Sequence, residues 1–444
     1  MYCGDETGSF IGEIGSHTCR FGYGGEDNPK MVSPSYVVSS SSSKSSSSNQ
    51  QQRYRRDDDD DDNNTTNNTF SVQPITNPNS FLRQGELVEN WDNMETAWET
   101  SMHTLRVRDT LKHTKVGSQY NAATKRNEYI KYTELIMESL EASSVFLAPA
   151  PMLAAFSLGR QTALMVDIGA GGCCVTPIVD GLVLKNSQRR NGRGGDWLGD
   201  MTWKALQENK QSKSDKRNSN NNNNNNNDKK EGESLPSLSP SFPVIKPRYM
   251  LGKKVASSTN SIFQRRNINN NGITNVGGQG SIYHLPDGTP VDLASSFGRD
   301  LCQLPELLFA ETTTLPFQHN NNPSSSVLQS TTLSNEPLHK LIHESLLSIG
   351  DVDARKELAQ CICLVGGSSL LHNIETRLSQ ELSAILPSFV KPKVLVSRVS
   401  SVERSCASWI GASILTSLGS FQQLWLSKAE YEEYGTAMAI QRFP

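Results

Sequence analysis

The chain has 444 residues, a formal net charge of −3 and eight cysteines. This length allows two or three domains, and the weak acidity excludes the basic footprint of a direct nucleic-acid binder. The cysteines show neither a CxxC pair nor a metal-type spacing with histidine, and no apolar run is long enough for a bilayer span or a secretory signal. We therefore expect reduced, buried thiols, no membrane partner and a soluble cytosolic or nuclear protein.

The first predicted element is a glycine hairpin, Phe10–Gly25, which reads FIGEIGSHTCRFGYGG. An apolar strand carries Glu13 into the turn Gly15-Ser16-His17, and a return strand contains Arg20. Glycines in such a turn let main-chain N–H groups converge on an anion, so the turn predicts a phosphate site. Two interpretations of His17 stay open: contact with a terminal phosphate, or a solvent-exposed turn histidine.

Four polar stretches interrupt the foldable sequence: Val38–Thr69, Glu208–Ser241, Ser257–Gly280 and Gln318–Glu336. Their runs of Ser, Asp and Asn bury too little apolar surface to offset the entropy lost on folding. We expect them to be disordered insertions in loops.

Amphipathic helices are predicted between the first two of these insertions. Trp91, Met94, Trp98, Met102 and Leu105 recur at helical spacing, and Glu128–Ser143 repeats the pattern. Between these helices, His113–Asn121 has so little apolar content that it poorly supports a buried strand.

A second glycine hairpin, Ala163–Gly181, reads ALMVDIGAGGCCVTPIVDG. Its apolar strand delivers Asp167 into a turn containing Gly169, Gly171 and Gly172, and a carboxylate at a strand end suits a hydrated divalent cation. Gly195 is predicted to begin the next helix, Trp197–Gln207, beside the ligand.

The remaining elements alternate between strands and helices. A hairpin is predicted at Tyr283–Leu293, a helix at Leu338–Ile349, a third glycine turn at Cys361–Leu371, a strand at Val394–Val396 and a capping box at Ser427–Glu430. The third turn leads into a helix and could present main chain to a nucleoside. One glycine turn alone is more often only a turn, but three with acids at two of them favour an α/β protein with a phosphate cleft between two halves.

These residues resemble the actin family. Val402–Gly435 is similar to the actin C-terminal region almost position for position, and Asp351–Ser369 is similar to the adenosine-loop region. EIGSHTCRFGYGGEDNPK and VDIGAGG match the two actin phosphate loops. The resemblance covers most of the chain outside the insertions. It implies an α/β, actin-like (actin/Hsp70/hexokinase-type) two-lobed fold with a central nucleotide cleft, and ATP with Mg²⁺ as cofactor.

Within the family, the chain most resembles the nuclear class of actin-related proteins, through Tyr2–Glu6, Gly169-Ala170, Lys246–Leu251 and Val402–Arg404. Members of that class are subunits of chromatin remodelling and histone acetyltransferase complexes. The resemblance implies a nuclear protein whose partners are actin and the helicase-SANT-associated helix of a remodeller ATPase or acetyltransferase scaffold. Nucleosomes or histones would be contacted indirectly.

Matched position by position, the resemblance implies a set of nucleotide-binding residues: Glu13, Gly15, Ser16, His17, Arg20, Asp167, Gly169, Ala170, Gly171, Gly172, Gly195, Asp196, Gly366, Gly367, Ser368 and Leu370. Glu13 and Asp167 are the implied metal contacts, through water. Glu13 stands where actins have an aspartate, and Arg20 where they have a phosphate-contacting lysine.

No catalytic residue is carried over. Ala170 replaces an aspartate, and Ala150 and Cys174 replace a glutamine and a histidine thought to position the attacking water. Without an orienting side chain the water has no catalyst. We therefore expect a cleft that binds ATP weakly or structurally with little or no hydrolysis.

The preferred hypothesis is a non-polymerising architectural subunit rather than an enzyme, since polar repeats replace, from Val37 onward, the loop that joins subunits in actin filaments. The alternative is a divergent cytoskeletal actin-like ATPase that polymerises; a sugar kinase or chaperone with the same core is more remote. The insertion 208–241 falls where the family contacts adenine, which weakens the expected nucleotide affinity. Trp409, Phe421 and Trp425 form either a groove for a partner helix or part of the core.

The expected organisation alternates between two lobes. The first lobe takes 1–37 and 70–162 around the insertion 38–69. The second lobe takes 163–207 and 242–386 around the insertion 208–241, and 387–444 returns to the first lobe.

Overall fold

The apolar runs that enter the first two glycine turns become equivalent strands in two separate sheets. The computed structural model describes residues 8–41, 69–76, 88–107, 115–120, 126–220, 282–284, 290–292, 295–311, 336–388, 390–397 and 400–443. Most of the predicted insertions, and the turn of the Tyr283–Leu293 hairpin, lie outside these residues.

The described strands are β1 (Ser9–Ile14), β2 (Thr18–Tyr23), β3 (Met31–Pro34), β4 (Tyr36–Ser41), β5 (Thr69–Pro74), β6 (Lys115–Tyr120), β7 (Ser144–Pro149), β8 (Ala163–Ile168), β9 (Cys173–Val179), β10 (Leu182–Val183), β11 (Arg189–Asn191), β12 (Ile282–His284), β13 (Pro290–Asp292), β14 (Ile362–Val365), β15 (Val394–Leu395) and β16 (Leu426–Ser427).

The described α-helices are α1 (Trp91–Thr104), α2 (Arg126–Glu134), α3 (Ala150–Ser157), α4 (Gly195–Asn220), α5 (Ser296–Gln303), α6 (Leu338–Leu347), α7 (Val352–Ala359), α8 (Ile374–Ile385), α9 (Ser401–Ser405), α10 (Ala407–Ser417), α11 (Lys428–Tyr434) and α12 (Thr436–Arg442). A π-helical segment, Leu135–Ser139, extends α2. Short 3-10 helices occur at Lys185–Ser187, Leu304–Leu308, Gly367–Leu370 and Gly419–Gln423.

Each main sheet joins an antiparallel hairpin to parallel strands. The first sheet has the order β16-β7-β6-β1-β2-β3, in which β1, β6 and β7 are parallel. The second has the order β10-β9-β8-β14-β15, in which β8, β14 and β15 are parallel and β11 also pairs with β9. The equivalent hairpins β1–β2 and β8–β9 therefore bring their turns to one place between the sheets.

Each sheet has its own core. In the first, Trp98 of α1 is fully buried and packs edge-on against Phe10 and Phe21 of the first hairpin. In the second, Leu164 of β8 packs with Leu341 and other apolar residues of α6. The stripes predicted at Trp91–Leu105 and Leu338–Ile349 are therefore confirmed as buried helix faces.

The helices α3 and α10 pack closely against each other beside the cleft. A Cβ atom on Gly411 of α10 would lie 1.8 Å from the carbonyl oxygen of Leu153 in α3, so only glycine permits this approach. The same segment buries Trp409, Phe421 and Trp425 to 5% exposure or less. The interpretation of these three aromatic residues as a partner groove is wrong; they belong to the core.

The doubt about a strand in His113–Asn121 is also wrong. Lys115–Tyr120 forms β6, which lies in the middle of the first sheet with parallel ladders to both β1 and β7. Main-chain hydrogen bonding on both edges outweighs weak side-chain preference, because strand propensity depends strongly on tertiary context.

Two predicted insertions begin in regular structure. Helix α4 continues to Asn220 rather than ending at Gln207, because the polar residues after Gly199 include neither glycine nor proline. The strands β4 and β5 pair from Tyr36 to Pro74, so that they enclose the insertion 38–69 at its base.

Near the C-terminus, β15 still pairs with β14 of the second sheet, and α10 is the element that packs against β1. The chain thus returns to the first sheet after residue 395 rather than at 387.

The described cysteines form no disulfide bonds, and Cys302 is half-buried, unlike the others. No helix in the described part of the chain is long and apolar enough to cross a bilayer.

Candidate functional site: a cleft between two glycine turns

The first glycine turn, between β1 and β2, is held from behind by two buried residues. Ser35 donates its Oγ hydrogen to the Gly15 carbonyl and its main-chain N–H to the His17 carbonyl (3.0 Å), and Thr76 Oγ1 donates to the Ser16 carbonyl (3.4 Å). A planar trans peptide places each N–H opposite the preceding carbonyl. The N–H groups of Ser16 and His17 therefore face away from these contacts, toward the cleft.

The second glycine turn, between β8 and β9, is held in the same way by α4. The N–H groups of Gly195 and Asp196 donate to the carbonyls of Gly169 and Ala170, each at 2.9 Å. Ser368 Oγ also donates to the Gly169 carbonyl (3.3 Å). The N–H groups of Ala170 and Gly171 are thereby directed to the opposite side, so the two turns can present main-chain donors to one anion.

Two glycines are required for this close packing. A Cβ atom on Gly194 would lie 2.3 Å from the Ala170 carbonyl oxygen, where α4 meets the second turn. Gly366, in the third turn, has φ of +91°, and a Cβ there would lie 2.2 Å from Asp167 Oδ1. The third turn therefore approaches the cleft only because it lacks a side chain.

Most of the residues proposed from the sequence meet in this cleft. Its lining includes Glu13, Gly15, Ser16, His17, Arg20, Asp167, Gly169, Ala170, Gly171, Gly172, Gly366 and Gly367. Gly195, Asp196 and Ser368 are not part of this lining, but they hold the second turn through the hydrogen bonds described above. Leu370, at the end of its 3-10 turn, does not line the cleft.

Glu13 and Arg20 form an ion pair on the floor of the cleft. They are cross-strand neighbours in the β1–β2 ladder, with Arg20 Nη1 3.0 Å from Glu13 Oε2, and both side chains are 14% exposed. Burial works against the charge of Arg20, but the Glu13 carboxylate outweighs it and holds the pKa of the guanidinium above its ordinary value. Glu13 is thus neutralised by the protein itself.

Asp167 has an unpartnered oxygen at the carboxyl end of β8. Its Oδ1 atom is shielded from solvent and makes no hydrogen bond to any described residue. Burial, with a further contribution from Glu13, raises the pKa of Asp167 to about 6. A nearby cation would favour the ionised carboxylate and use the open oxygen.

The cleft therefore fits a hydrated divalent cation with a polyphosphate. No group of three or more His, Cys, Asp or Glu side chains in the described ranges could hold a metal ion directly. Asp167, with waters and phosphate oxygens, would supply the ligands, as is usual for Mg²⁺.

Ala150 and Cys174 both line the cleft, as the sequence comparison of these positions implied. Cys174 Sγ accepts a hydrogen bond from Gln188 Nε2 (3.3 Å) and lies 3.5 Å from Thr176 Oγ1. Burial raises the pKa of the Cys174 thiol, so it stays protonated. Neither residue offers a base for water.

The cleft residues that sequence reasoning missed include a group near the C-terminus: Arg404, Ser405, Ala407 and Ser408. Ser408 Oγ donates to Glu13 Oε1 (2.8 Å), and Arg404 Nη2 donates to the Ser369 carbonyl (2.8 Å). The sequence signal was the cluster of polar residues in VERSCAS immediately before an apolar helix, which we used only as a family match.

Comparison with known proteins agrees along the whole chain. The family model described as Actin matches residues 4–444. An actin-related protein 4 of Arabidopsis thaliana is 32% identical over 461 residues and covers 100% of both chains. Proteins with the same name from Oryza sativa subsp. japonica and Saccharomyces cerevisiae are 28% and 27% identical, covering 100% and 98% of this chain and 100% and 96% of their own.

Proposed function

Because the chain belongs to the actin family, we propose that it is a non-polymerising architectural subunit of nuclear chromatin remodelling and histone acetyltransferase complexes. The α/β actin-like fold and the resemblance to this class of actin-related proteins are confirmed. In this proposal the subunit pairs with actin on a helix of the large ATPase or scaffold subunit. It contacts nucleosomes or histones only through these partners, and it holds ATP with little or no turnover.

One observation carries the proposal: the cleft has donors for phosphate, but the two positions at which the family is thought to orient water carry Ala150 and Cys174. The N–H groups of both glycine turns face it, whereas Ala150 and the hydrogen-bonded thiol of Cys174 occupy the positions at which hydrolysis would need a polar group. Asp167 and Arg20 are the charged residues that would hold Mg²⁺ and phosphate. A bound Mg²⁺ would neutralise part of the negative charge of the phosphates.

Retention without turnover suits an architectural role. A ligand that binds only the folded, closed protein stabilises that form by mass action. The glycine turns come from different sheets, so a polyphosphate bound to both would hold the two halves together. Hydrolysis would remove one of the groups that makes this link.

Exposed apolar residues at the C-terminal ends of α3 and α10 would suit a partner helix. Phe156 at the end of α3, Ile414 in α10, and Leu418 and Leu424 just after it are between 37% and 50% exposed. Apolar side chains at such spacing are typical anchors for an amphipathic helix. We take these residues, rather than the buried Trp409, Phe421 and Trp425, as the contact for the helix of the large subunit.

The test is affinity purification of the tagged full chain from nuclear extract, with mass spectrometry of proteins and of bound nucleotide. We expect actin, a remodeller ATPase or acetyltransferase scaffold, and intact ATP. Leu418→Asp should lose the large subunit, whereas Leu182→Asp, a control at a 66% exposed position on β10, should keep it. Recovery of the chain mainly in pelletable polymer with ADP would support the polymerising ATPase instead.

A further inference from the structure

The side chain of His17 crosses the cleft and is not used by the function proposed above. It projects from the turn between β1 and β2, and its Nδ1 lies 3.4 Å from Oδ1 of Asp196 in the first turn of α4. The two side chains are 38% and 26% exposed, so the pair lies at the mouth of the cleft. It joins the first glycine turn to the helix that holds the second.

The main chain of both partners is fixed. The His17 carbonyl accepts a hydrogen bond from the Ser35 N–H, and the Asp196 N–H donates to the Ala170 carbonyl. The contact with Asp196 therefore orients an imidazole that is already anchored. With Nδ1 turned to the carboxylate, Nε2 is directed elsewhere, and it has no hydrogen-bond partner among the described residues.

The two arginines that line the cleft already have protein partners. Arg20 pairs with Glu13, and Arg404 donates to the Ser369 carbonyl. His17 is 38% exposed and can reach a ligand, whereas the unpartnered Nε of Arg404, which also lines the cleft, is shielded from solvent. Donation from both nitrogens requires the protonated ring, with Nδ1 facing the Asp196 carboxylate and Nε2 facing the phosphate.

The contacts along the second turn give the cleft a direction. The Gly169 carbonyl accepts a hydrogen bond from Ser368 of the third turn. From the sequence, the third turn is expected to contact the nucleoside. The carbonyl of Ala170, one residue further, accepts a hydrogen bond from the Asp196 N–H, and the Asp196 side chain contacts His17. The phosphate furthest from the nucleoside would therefore be the one next to His17.

We propose that His17 is a specificity-determining residue, oriented by Asp196 as a positioning residue, which makes the cleft prefer a nucleoside triphosphate to a diphosphate by donating from Nε2 to the terminal phosphate. The inference rests on the proposed nucleotide binding. It adds which phosphate is recognised and by which side chain. A subunit with this contact would retain ATP and release ADP.

The experiment is isothermal titration of the full-length chain with ATP and with ADP, both with Mg²⁺. We expect wild type to bind ATP about tenfold more tightly than ADP, the size of one charge-assisted hydrogen bond. His17→Ala should weaken ATP binding about tenfold and leave ADP binding unchanged, and His17→Arg, which keeps a cationic donor, should retain the preference. His103→Ala, at an exposed histidine on α1, is the matched control and should change neither.

Asp196→Asn separates positioning from charge. With His17 present it should weaken ATP binding, because the imidazole loses its orienting partner. In the His17→Ala background it should strengthen ATP binding, because a negative charge near the phosphates has been removed. The same sign in both backgrounds would exclude a positioning role for Asp196.

The outcomes separate this inference from the proposed function. Binding of ATP and ADP with equal affinity, or an equal loss of both in His17→Ala, would overturn the role of His17 and leave nucleotide retention intact. No binding of either nucleotide by wild type would overturn both. If His17→Ala unfolds at a lower temperature than wild type, His17→Arg takes its place in the comparison. Loss of the ATP preference in His17→Arg would also contradict the inference.

Discussion

Ser408 Oγ donates a 2.8 Å hydrogen bond to Glu13 Oε1 and so joins two residues 395 positions apart. The other carboxylate oxygen, Oε2, lies 3.0 Å from Arg20 Nη1. Oε1 of Glu13 thus accepts a hydrogen bond, whereas Oε2 has the ion pair with Arg20 but no hydrogen bond. Of the two acids expected to contact a metal ion, Asp167 is therefore the one whose buried Oδ1 has neither a hydrogen bond nor an ion pair with a described residue.

Removal of Glu13 should be costly. Glu13→Ala leaves Arg20, which is 14% exposed, without its charge partner, and we expect a loss of roughly 2 to 4 kcal/mol in the free energy of unfolding. Urea denaturation would measure it. Glu311→Gln, which breaks the exposed ion pair with Lys340, is the control and should change stability far less. Equal effects of the two variants would mean that Glu13 and Arg20 interact no more strongly than a surface pair.

Replacement of Asp167 should stabilise the ligand-free protein at neutral pH. Its folded pKa of about 6 lies above the ordinary value of 3.8, so the folded state carries a penalty once the carboxyl ionises. That penalty is absent below pH 3.8 and is fully present above about pH 6. Asp167→Asn should therefore raise the free energy of unfolding by roughly 3 kcal/mol at neutral pH, with a smaller gain as the pH falls toward the ordinary pKa of the carboxyl.

Urea unfolding across this pH range would check the expectation for Asp167. Asp353→Asn, at an aspartate that is 92% exposed, should show no comparable gain. The same Asp167 variant should bind nucleotide with a weaker dependence on Mg²⁺, because the open oxygen is lost. A variant that is less stable than wild type at neutral pH would show that the ionised carboxylate has a partner within the protein.

Wild type should release no phosphate from ATP beyond that of a protein-free blank. Ala150→Gln with Cys174→His restores the polar groups that the family is thought to use for water, and this pair should produce measurable release. Because histidine is larger than the buried Cys174, the variant must first be shown to unfold at a similar temperature. Turnover by wild type that disappears in His17→Ala would instead identify the His17–Asp196 pair as a base.

Gly411→Ala should disrupt the packing of α10 on α3. The added Cβ would lie 1.8 Å from the Leu153 carbonyl oxygen, which cannot move without breaking α3. We expect a loss of roughly 3 kcal/mol or more, or failure to fold, because overpacking at main chain is not relieved by side-chain rotation. Gly419→Ala, where nothing lies within 4 Å of the new atom, is the matched control for thermal unfolding. Similar stability of the two variants would contradict the close approach.

Elements whose stability is local were accessible from sequence. The stripe containing Trp98 became the buried face of α1, and the predicted capping box formed, with Ser427 and Glu430 exchanging hydrogen bonds. Both follow from contacts within a few residues. The hairpins around Glu13 and Asp167 were accessible for the same reason.

Elements that depend on distant partners could not be predicted from the sequence. Lys115–Tyr120 has weak strand character and becomes β6 because β1 and β7 pair with both of its edges. Helix α4 continues into a polar stretch in which apolar periodicity gave no indication of its end. The structure also shows that Leu418 is exposed whereas Trp425 is buried. The composition of the segment that contains both residues does not predict this difference.

The sequence by itself determined the two strand–turn–strand units, the acids within them and the lack of a water-orienting residue at Ala150 and Cys174, since each is a property of a short stretch. Only the tertiary structure decided that Ser35 and Thr76 orient the first turn, that Ser408 satisfies Glu13 and that His17 meets Asp196. The physical reason is that these contacts join residues from different strands and helices. Their distances are set by how the two sheets pair and pack, and no local pattern encodes that geometry.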